Sequence, residues 1–454
     1  MDLDTKTMII ENNKCAWGKC IFCSFSKKQN VQILSEDKLK QLIENELDGI
    51  TTLKQLKFFN SGSFLDENQI PIPVQDFLLE KCKQLKTEEL IFECHPMFIT
   101  DKNISRIRKK LNDINYSPKI NVAIGLESAD NTILKKIKKG ITRETYTKAV
   151  ELLKKYNFYA RTYLMANLPY KKDYSKSLND SVDFALPMSD TICIINAYPY
   201  GYAELFDIWL SRKWHPLNKN EFEKITKKYK NNKKIEIFFD DFISYPKFSL
   251  PKQKKVDLYG ANKFNLTHPY YEVWQEYLAD FYIPPKVKEH VLILPCSYRK
   301  PYSMSKTHKA IITRLKGAYS YGKIHQIMVS NPGLIPREFE SKYPFAKYDW
   351  PEAQETPNIK KLYTVVTQAR IENYLKNHKD YYSYNSKKPV FCYLKYEAES
   401  YIALKNACKN LDISLINLVD KDTYDLFKKQ GMKDILINEM LLDKMFLGLA
   451  KRKL

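Results

Sequence analysis

The sequence has no apolar run that approaches the ~20 residues of a membrane-spanning helix. Its first ten residues, MDLDTKTMII, lack the basic start and long apolar core of a secretory signal. Cysteine is scarce, since the 454 residues include only nine, and this excludes a small disulfide scaffold. These absences predict a soluble cytoplasmic protein with reduced thiols and no membrane partner.

Negative charge is also in short supply. Lys and Arg total 74 against 53 Asp and Glu, which gives a formal net charge of +21. This excess has two interpretations, a solvated lysine-rich surface or attraction to a polyanion such as nucleic acid. The hydrophobic content of 44% excludes a disordered chain, and the length allows two or three domains with a sizeable core.

The first 225 residues alternate short apolar runs with longer amphipathic segments. Six of the runs are predicted strands: TMII, LKFFNSG, ELIFECHP, INVAIGLES, ARTYLMANLP and DTICIINAYP. Helical patterns lie between them, and one begins at Thr142, a residue type that caps helix N-termini. Because strands that alternate with helices pair in parallel, we predict an α/β fold with a partial (β/α)6 barrel over residues 1–225.

Polar residues and cysteines cluster at the ends of the predicted strands, where barrels of this kind carry their function. In chain order these residues are Cys15, Cys20, Cys23, Asn60, Ser61, Gly62, Ser63, Glu93, His95, Glu127, Ser128, Asn167, Asn196 and Tyr198. A packed core does not require such a pattern. We therefore predict a functional site at this end of the barrel.

Three cysteines, Cys15, Cys20 and Cys23, fall within nine residues after the first predicted strand. Three thiolates on one loop hold three irons of a four-iron cluster and leave the fourth iron open. Zinc with a ligand from elsewhere in the chain is the alternative. The barrel pattern around the cysteines favours the iron–sulfur cluster.

This loop resembles the iron–sulfur loop of the radical SAM superfamily, in which the open iron binds S-adenosylmethionine. Phe22 before the third cysteine is typical of that superfamily, whereas the four residues between the first two cysteines are one more than usual. Three further stretches, NSGSFLDE, ECHPMFIT and GLESADNTILKKIKKGIT, resemble the radical SAM enzyme of archaeosine formation. That resemblance covers roughly residues 5–215.

The resemblance implies a [4Fe-4S] cluster on the three cysteines and S-adenosylmethionine beside it. The residues implied to bind S-adenosylmethionine are Ser61, Gly62, Ser63, Glu93, Glu127 and Asn167. Small residues suit the end of the second strand because the backbone must approach the cofactor closely there. Structural roles are the alternative, a turn for Gly62 and helix caps for Glu93 and Glu127.

The pattern changes after residue 225. A lysine-rich run, KITKKYKNNKK, and an irregular aromatic segment predict a connector over residues 226–285, with a helix at VWQEYLADF closed by Pro284 and Pro285. Residues 286–454 are predicted to form a second α/β domain. Its first strand, VLIL, leads into a loop that is dense in reactive side chains.

The stretch PCSYRKPYSMSKTH resembles the motif PC-x3-KPY-x2-S-x2-H of the archaeosine synthase that attaches lysine to a modified tRNA base. All seven fixed positions match, and the resemblance covers roughly residues 262–410. It implies that Arg337, Glu338, Tyr348 and Asp349 lie near the same pocket. The implied catalytic residues are Cys296, Lys300, Tyr302, Ser305 and His308.

The two resemblances imply one pathway on one chain. Free lysine adds through its ε-amine to the nitrile of the 7-deazaguanine base preQ0 in tRNA, and radical chemistry then cleaves the lysine C–N bond to leave archaeosine. Cys296 is expected to form a thioimidate, and His308 to lower its pKa or to move protons. The implied partners are tRNA or other nucleic acid with a 7-deazaguanine base, free lysine, and an electron donor such as a ferredoxin or flavodoxin.

Three alternatives to this function stay open. The same chemistry on DNA is consistent with every residue named. A radical SAM enzyme for a small molecule or peptide is a second alternative, against which the basic charge and the Cys296 motif argue. The third is a nucleic-acid-binding protein with a zinc site and no enzymatic activity.

Overall fold

The computed structural model describes residues 1–23, 25, 32–198, 203–239, 255–317, 321–382 and 388–450. The C-terminal stretch AKRKL, whose basic residues make it a candidate for contacts to phosphate groups, lies outside the described residues except for Ala450. The chain divides into two compact units, and the division falls within residues 240–254. No helix in the described ranges combines the length and the apolar character that crossing a membrane requires.

The first unit contains a seven-stranded parallel sheet whose strands are paired in chain order from β1 to β7. The strands are β1 Asp2–Ile9, β2 Thr52–Phe59, β3 Glu89–Glu93, β4 Lys119–Glu127, β5 Tyr159–Met165, β6 Thr191–Ile195 and β7 Ile235–Phe238. The sheet curls into half a barrel, which confirms the predicted α/β fold class. Because all strands run in one direction, their carboxyl ends lie at one edge.

Eight helices of the described chain accompany this sheet. They are α1 Glu36–Leu47, α2 Ile72–Gln84, α3 Asp101–Asp113, α4 Asn131–Lys136, α5 Arg143–Lys155, α6 Tyr174–Ala185, α7 Glu204–Leu210 and α8 Lys219–Thr226. In α5 the predicted cap is present, because the Thr142 side chain accepts a hydrogen bond from the backbone N–H of Thr145. Its buried face consists of Tyr146, Ala149, Val150 and Leu153, at the spacing of an amphipathic helix.

The second unit is built on a five-stranded sheet in the order β11-β10-β9-β13-β14, in which only the β10–β11 pair is antiparallel. Its strands are β9 His290–Pro295, β10 Ile324–Ser330, β11 Gly333–Pro336, β13 Val390–Cys392 and β14 Leu415–Asn417, and a separate pair joins β8 Leu258–Tyr259 to β12 Tyr348–Asp349. Its helices are α9 Lys263–Leu266, α10 Pro269–Asp280, α11 Lys306–Leu315, α12 Pro357–Asn377, α13 Lys379–Tyr382, α14 Glu399–Asn410, α15 Lys421–Lys429 and α16 Glu439–Ala450.

The structure differs from the sequence prediction over residues 226–285. The lysine-rich run does not end the barrel, because β7 follows it and pairs with β6. The predicted helix begins earlier, at Pro269, and belongs to the second unit. Its Gln275 side chain exchanges two hydrogen bonds with the backbone of Leu334 in β11, at 2.9 and 3.0 Å. The described residues 226–239 therefore belong to the first unit and residues 255–285 to the second.

Candidate functional site

A cavity of about 390 Å³ lies at the carboxyl ends of the strands in the first unit. A cavity of this size is within the range that binds small molecules and cofactors. The three cysteines of the loop at residues 12–23, which we call the cysteine loop, line it together with Glu93, Glu127 and Lys139. The structure thus brings the ends of β1, β3 and β4 together, as the sequence predicted.

The three cysteines are partly buried. Burial raises the pKa of the Cys20 thiol to about 11, while the nearby ammonium of Lys139 opposes this shift. Among the described residues, no three His, Cys, Asp or Glu side chains are arranged to bind a single metal ion. A four-iron cluster binds each thiolate at a different iron and so needs sulfurs that are spread apart. Three thiols on one loop could hold such a cluster.

Trp17 holds the middle of the cysteine loop in place. Its indole N–H donates a 2.8 Å hydrogen bond to the Lys138 carbonyl, and its ring stacks on His95 with centroids 6.1 Å apart. Beneath the ring lies Gly140 at φ +76°, where a Cβ atom would overlap the indole. Trp17 is the second of the four residues between Cys15 and Cys20. Sequence reasoning passed over both Trp17 and Gly140.

A buried ion pair lies beside the cysteines. The Lys139 ammonium is 2.7 Å from Oε1 of Glu127, and both side chains are almost fully buried. Glu127 has φ +65° at a register shift between β4 and β5. Burial lowers the pKa of Lys139, but the Glu127 carboxylate and the nearby Cys20 and Cys23 together outweigh that effect and the pKa is raised. Gly125 leaves the space for this pair, because a Cβ there would lie 2.6 Å from Nζ of Lys139.

The small residues after β2 divide between the cavity and its wall. Ser61, at φ +58°, and Gly62 line the cavity. A Cβ at Gly62 would collide with Gln69, so close packing within the protein already requires a glycine there. Ser63 is buried in the wall, where its hydroxyl accepts a 2.9 Å hydrogen bond from the backbone N–H of His95.

Of two further predicted residues, Glu93 lines the cavity and Asn167 does not. Glu93 lines the cavity, and burial raises the pKa of its carboxyl group to about 7. Asn167 is fully buried and is not among the lining residues, and its Oδ1 accepts a 2.8 Å hydrogen bond from the backbone N–H of Ala197. The end of β6 reaches the cavity instead through Asn196 and Tyr198.

Glu127, which lines the cavity, and Asn60, which directly precedes the lining residue Ser61, hold buried polar atoms that lack a partner among the described residues. Both amide atoms of Asn60 and Oε2 of Glu127 are buried without a hydrogen-bond partner among the residues that the structure describes. Buried polar atoms of this kind are costly unless a ligand or water satisfies them. Together with the three thiols, they fit a cluster and a polar small-molecule cofactor.

The second candidate site begins where β9 ends. Cys296 is exposed, yet atoms packed around its thiol raise its pKa, an effect that the Ser330 side chain and the Lys300 ammonium oppose. The Lys300 ammonium lies 4.0 Å from the centroid of the Tyr348 ring. Burial lowers the pKa of Lys300, and the charges of Cys296 and Asp349 act in the other direction.

Hydroxyl groups connect this thiol to the core of the unit. Tyr302 is fully buried and hydrogen-bonds to the hydroxyl of Tyr348, which in turn hydrogen-bonds to Ser330. Burial raises the pKa of Tyr302. Both phenols therefore stay protonated near neutral pH, and the structure brings Cys296, Lys300 and Tyr302 into one group.

The contacts of His308 bear on one of its two predicted roles, the lowering of the Cys296 pKa. Its Nε2–H donates a 2.9 Å hydrogen bond to the Pro295 carbonyl, and its Nδ1 accepts one of 3.0 Å from Arg337. Burial and the Arg337 charge lower the pKa of His308 to about 4, so the ring is neutral at neutral pH. A neutral ring whose two nitrogens are both engaged does not lower the Cys296 pKa. Ser305 caps α11 and accepts a 3.1 Å hydrogen bond from the backbone N–H of His308.

Three of the four residues implied to surround this pocket are there. Arg337 contacts His308, Tyr348 contacts Tyr302, and the charge of Asp349 acts on Lys300. Glu338 instead hydrogen-bonds to Tyr282 and His325 in a separate buried cluster.

Two family models match the chain. Residues 12–177 match the radical SAM superfamily, and residues 272–425 match a domain of unknown function, DUF5591. The first match covers the three cysteines and β2 to β5, and the second covers the Cys296 motif. The chain is therefore similar to the radical SAM superfamily over part of its first unit and to DUF5591 over much of its second.

Three relatives give the level of similarity. An uncharacterized protein of Methanocaldococcus jannaschii is 31% identical over 190 residues, which are 39% of this chain and 50% of the relative. Archaeosine synthase subunit beta of Methanosarcina acetivorans is 29% identical over 201 residues, 42% and 56% of the two chains. Archaeosine synthase subunit alpha of Thermococcus kodakarensis is 34% identical over 116 residues, 24% and 20%. The chain spans about half the length of the first two relatives and a fifth of the third.

Proposed function

Because one chain carries a radical SAM domain and a DUF5591 domain, we propose that it is a tRNA-modifying enzyme of archaeosine formation. In this proposal the second unit adds lysine to the preQ0 nitrile, and the first unit cleaves the lysine adduct as a lyase. One observation carries the proposal: this chain is similar to both the alpha and the beta subunits of archaeosine synthases. Each kind of similarity has a candidate site to accompany it.

In the first unit, Cys15, Cys20 and Cys23 would hold the [4Fe-4S] cluster. Ser61, Gly62, Glu93 and Glu127 line the adjoining space and would contact S-adenosylmethionine. When bound, these groups supply one-electron chemistry that can break an unactivated C–N bond. The protein contributes the cavity and, in its wall, a buried Lys139–Glu127 pair.

In the second unit, Cys296 would act on the nitrile. Its sulfur adds to the nitrile carbon, and the nitrile nitrogen takes the thiol proton, which gives a thioimidate. The ε-amine of lysine then displaces the sulfur, which takes up a proton from the amine, and the amidine-linked adduct results. Lys300 lies close enough to Cys296 for their charges to interact, which supports a role in this proton exchange.

The substrate base lies within a nucleic acid and has to leave its stack to reach either site. The net charge of +21 supports contacts to phosphate groups. DNA that carries the same base is the alternative substrate, and the test distinguishes the two.

Nucleoside mass spectrometry tests the proposal. The reconstituted protein is incubated anaerobically with preQ0-containing tRNA and lysine, with and without S-adenosylmethionine and a reductant. We expect a lysine adduct without S-adenosylmethionine and archaeosine with it. No adduct on tRNA would refute the proposed substrate, and DNA carrying preQ0 would be tested next.

Two variants serve as reciprocal controls. Cys296→Ser is expected to abolish the adduct, yet to convert tRNA that already carries it. Cys20→Ser is expected to form the adduct and to stop there. A colourless reconstituted protein that contains zinc would contradict the radical half of the proposal, because thiolate-bound four-iron clusters are brown.

A further inference from the structure

One arginine is connected to both ends of the loop that carries Cys296 and Lys300. This loop, residues 296–303, we call the Cys296 loop. At its start, the Pro295 carbonyl accepts the hydrogen bond from His308, whose other nitrogen accepts one from Arg337 at 3.0 Å. At its end, the backbone N–H of Ser303 donates to Oε2 of Glu340 at 3.0 Å, and the same oxygen accepts a 2.9 Å hydrogen bond from Arg337.

Arg337 is itself held by the sheet. It directly follows β11, the strand that pairs antiparallel with β10. Its Nη2 and Nε atoms donate to Oε1 of Gln326 in β10, at 2.9 and 3.3 Å. The guanidinium group thus has one fixed position, set by a two-stranded hairpin rather than by a loop.

We infer that Arg337 is a positioning residue that fixes the Cys296 loop through His308 at one end and Glu340 at the other. We call the hydrogen-bonded group of Arg337, His308 and Glu340 the brace. The inference rests on the proposed function for its consequence in lysine transfer, but the geometry of the brace does not depend on that function. It also assigns His308 a role, because its ring connects Arg337 to the Pro295 carbonyl by one hydrogen bond at each nitrogen.

An arginine is required for this arrangement. Three different acceptors, on Gln326, His308 and Glu340, bind one planar group whose donors point in fixed directions. A lysine ammonium is a single point of charge on a flexible stem and does not reproduce the fork. Arg337→Lys is therefore expected to fix the Cys296 loop only in part, and Arg337→Gln to fix it less.

The exposed thiol of Cys296 reports directly on the loop. In the intact protein, packed atoms around the thiol disfavour its thiolate form. When the hydrogen bonds of the brace are removed, the loop loosens, the packing around the thiol is lost, and the thiolate becomes more populated. Alkylation of Cys296 should then become faster and its pH profile should move to lower pH.

The experiment measures the rate of iodoacetamide alkylation at Cys296 in the reduced full-length chain, by mass spectrometry of the peptide that contains it. We expect an increase of at least about threefold for Arg337→Gln near neutral pH, a smaller increase for Arg337→Lys, and a lower midpoint in the pH profile. Arg314→Gln is the matched control, because Arg314 lies at the end of α11 and pairs with Asp443. A rate for Arg337→Gln that equals or falls below that of the control would overturn the inference.

A second variant covers the case in which Arg337→Gln does not fold. Glu340→Gln weakens only the Ser303 end of the brace and is expected to accelerate alkylation to a lesser degree, and an unchanged rate would count against the inference. The two proposals fail separately. If alkylation is faster in Arg337→Gln but the unmodified chain transfers no lysine, the inference about Arg337 stands and the proposed function is refuted.

Discussion

Gly140→Ala tests how the cysteine loop is held. Gly140 has φ +76°, and a Cβ there would lie 2.7 Å from Cδ2 of Trp17 and closer to two other ring atoms. Because the backbone around Gly140 is fixed by the Lys139–Glu127 pair, the indole is the group that has to move. We expect the substitution to displace Trp17 from the Lys138 carbonyl and from His95.

The expected loss of stability has two parts. A non-glycine residue in the left-handed region costs roughly 1–2 kcal/mol. Displacement of the indole removes one hydrogen bond, worth about 1 kcal/mol, and part of an aromatic contact, worth about 1 kcal/mol. The free energy of unfolding should therefore fall by about 3–4 kcal/mol, from the sum of these contributions.

Gly49→Ala is a matched control for the backbone part. Gly49 has φ +71°, close to that of Gly140, but a Cβ there meets no atom within 4 Å. It should lose only the roughly 1–2 kcal/mol of backbone strain. The difference between the two variants isolates the displacement of Trp17.

Two assays follow the effect. Urea unfolding of the reduced protein, observed by tryptophan fluorescence, gives the free energies. Iron per chain after anaerobic reconstitution should be lower for Gly140→Ala than for Gly49→Ala, because the cysteine loop is no longer held. Equal stability and equal iron content in the two variants would refute the role assigned to Trp17.

Three further predictions concern other parts of the chain. The pKa of His308 is about 4 in the folded state, so as the pH falls the unfolded chain takes up a proton before the folded chain does, and stability is lost between about pH 6.5 and pH 4. Between pH 7 and pH 4.5, the free energy of unfolding measured in urea should fall by about 2–3 kcal/mol less for His308→Gln than for the unmodified chain. Lys139→Met leaves the Glu127 carboxylate buried without its partner and should cost about 3–5 kcal/mol, most of which Glu127→Gln restores in the double variant. Binding of tRNA, measured by filter retention between about 50 and 200 mM salt, should weaken steeply with salt because phosphate contacts release counterions.

Each of these has a contradicting result. An identical pH dependence in His308→Gln would mean that this ring is not the buried neutral group. Additive losses for Lys139→Met and Glu127→Gln would mean that the two charges do not interact. A flat salt response would assign the excess of lysine to a solvated surface.

Much of the first site was predictable because it depends on short-range patterns. Alternation of apolar runs with amphipathic segments predicts parallel strands, and the carboxyl ends of parallel strands meet at one edge. Cys15, Cys20, Cys23, Glu93 and Glu127 could therefore be assigned to one place from their position after a strand. The Cys296 loop was predictable for a similar reason, since one motif contains its reactive side chains.

The tertiary structure alone decided what each of these side chains contacts. Lys139 approaches Glu127 over the space left by Gly125, Trp17 packs on Gly140 more than a hundred residues away, and Arg337 reaches His308 from a hairpin that follows it. The seventh strand was also missed, because Ile235–Phe238 is too short for its pattern to stand out beside the lysine-rich run. Local periodicity determines which face of an element is buried. Contacts between residues that are distant in the sequence depend on tertiary packing, because only the packed elements decide which side chain has space to reach a given partner.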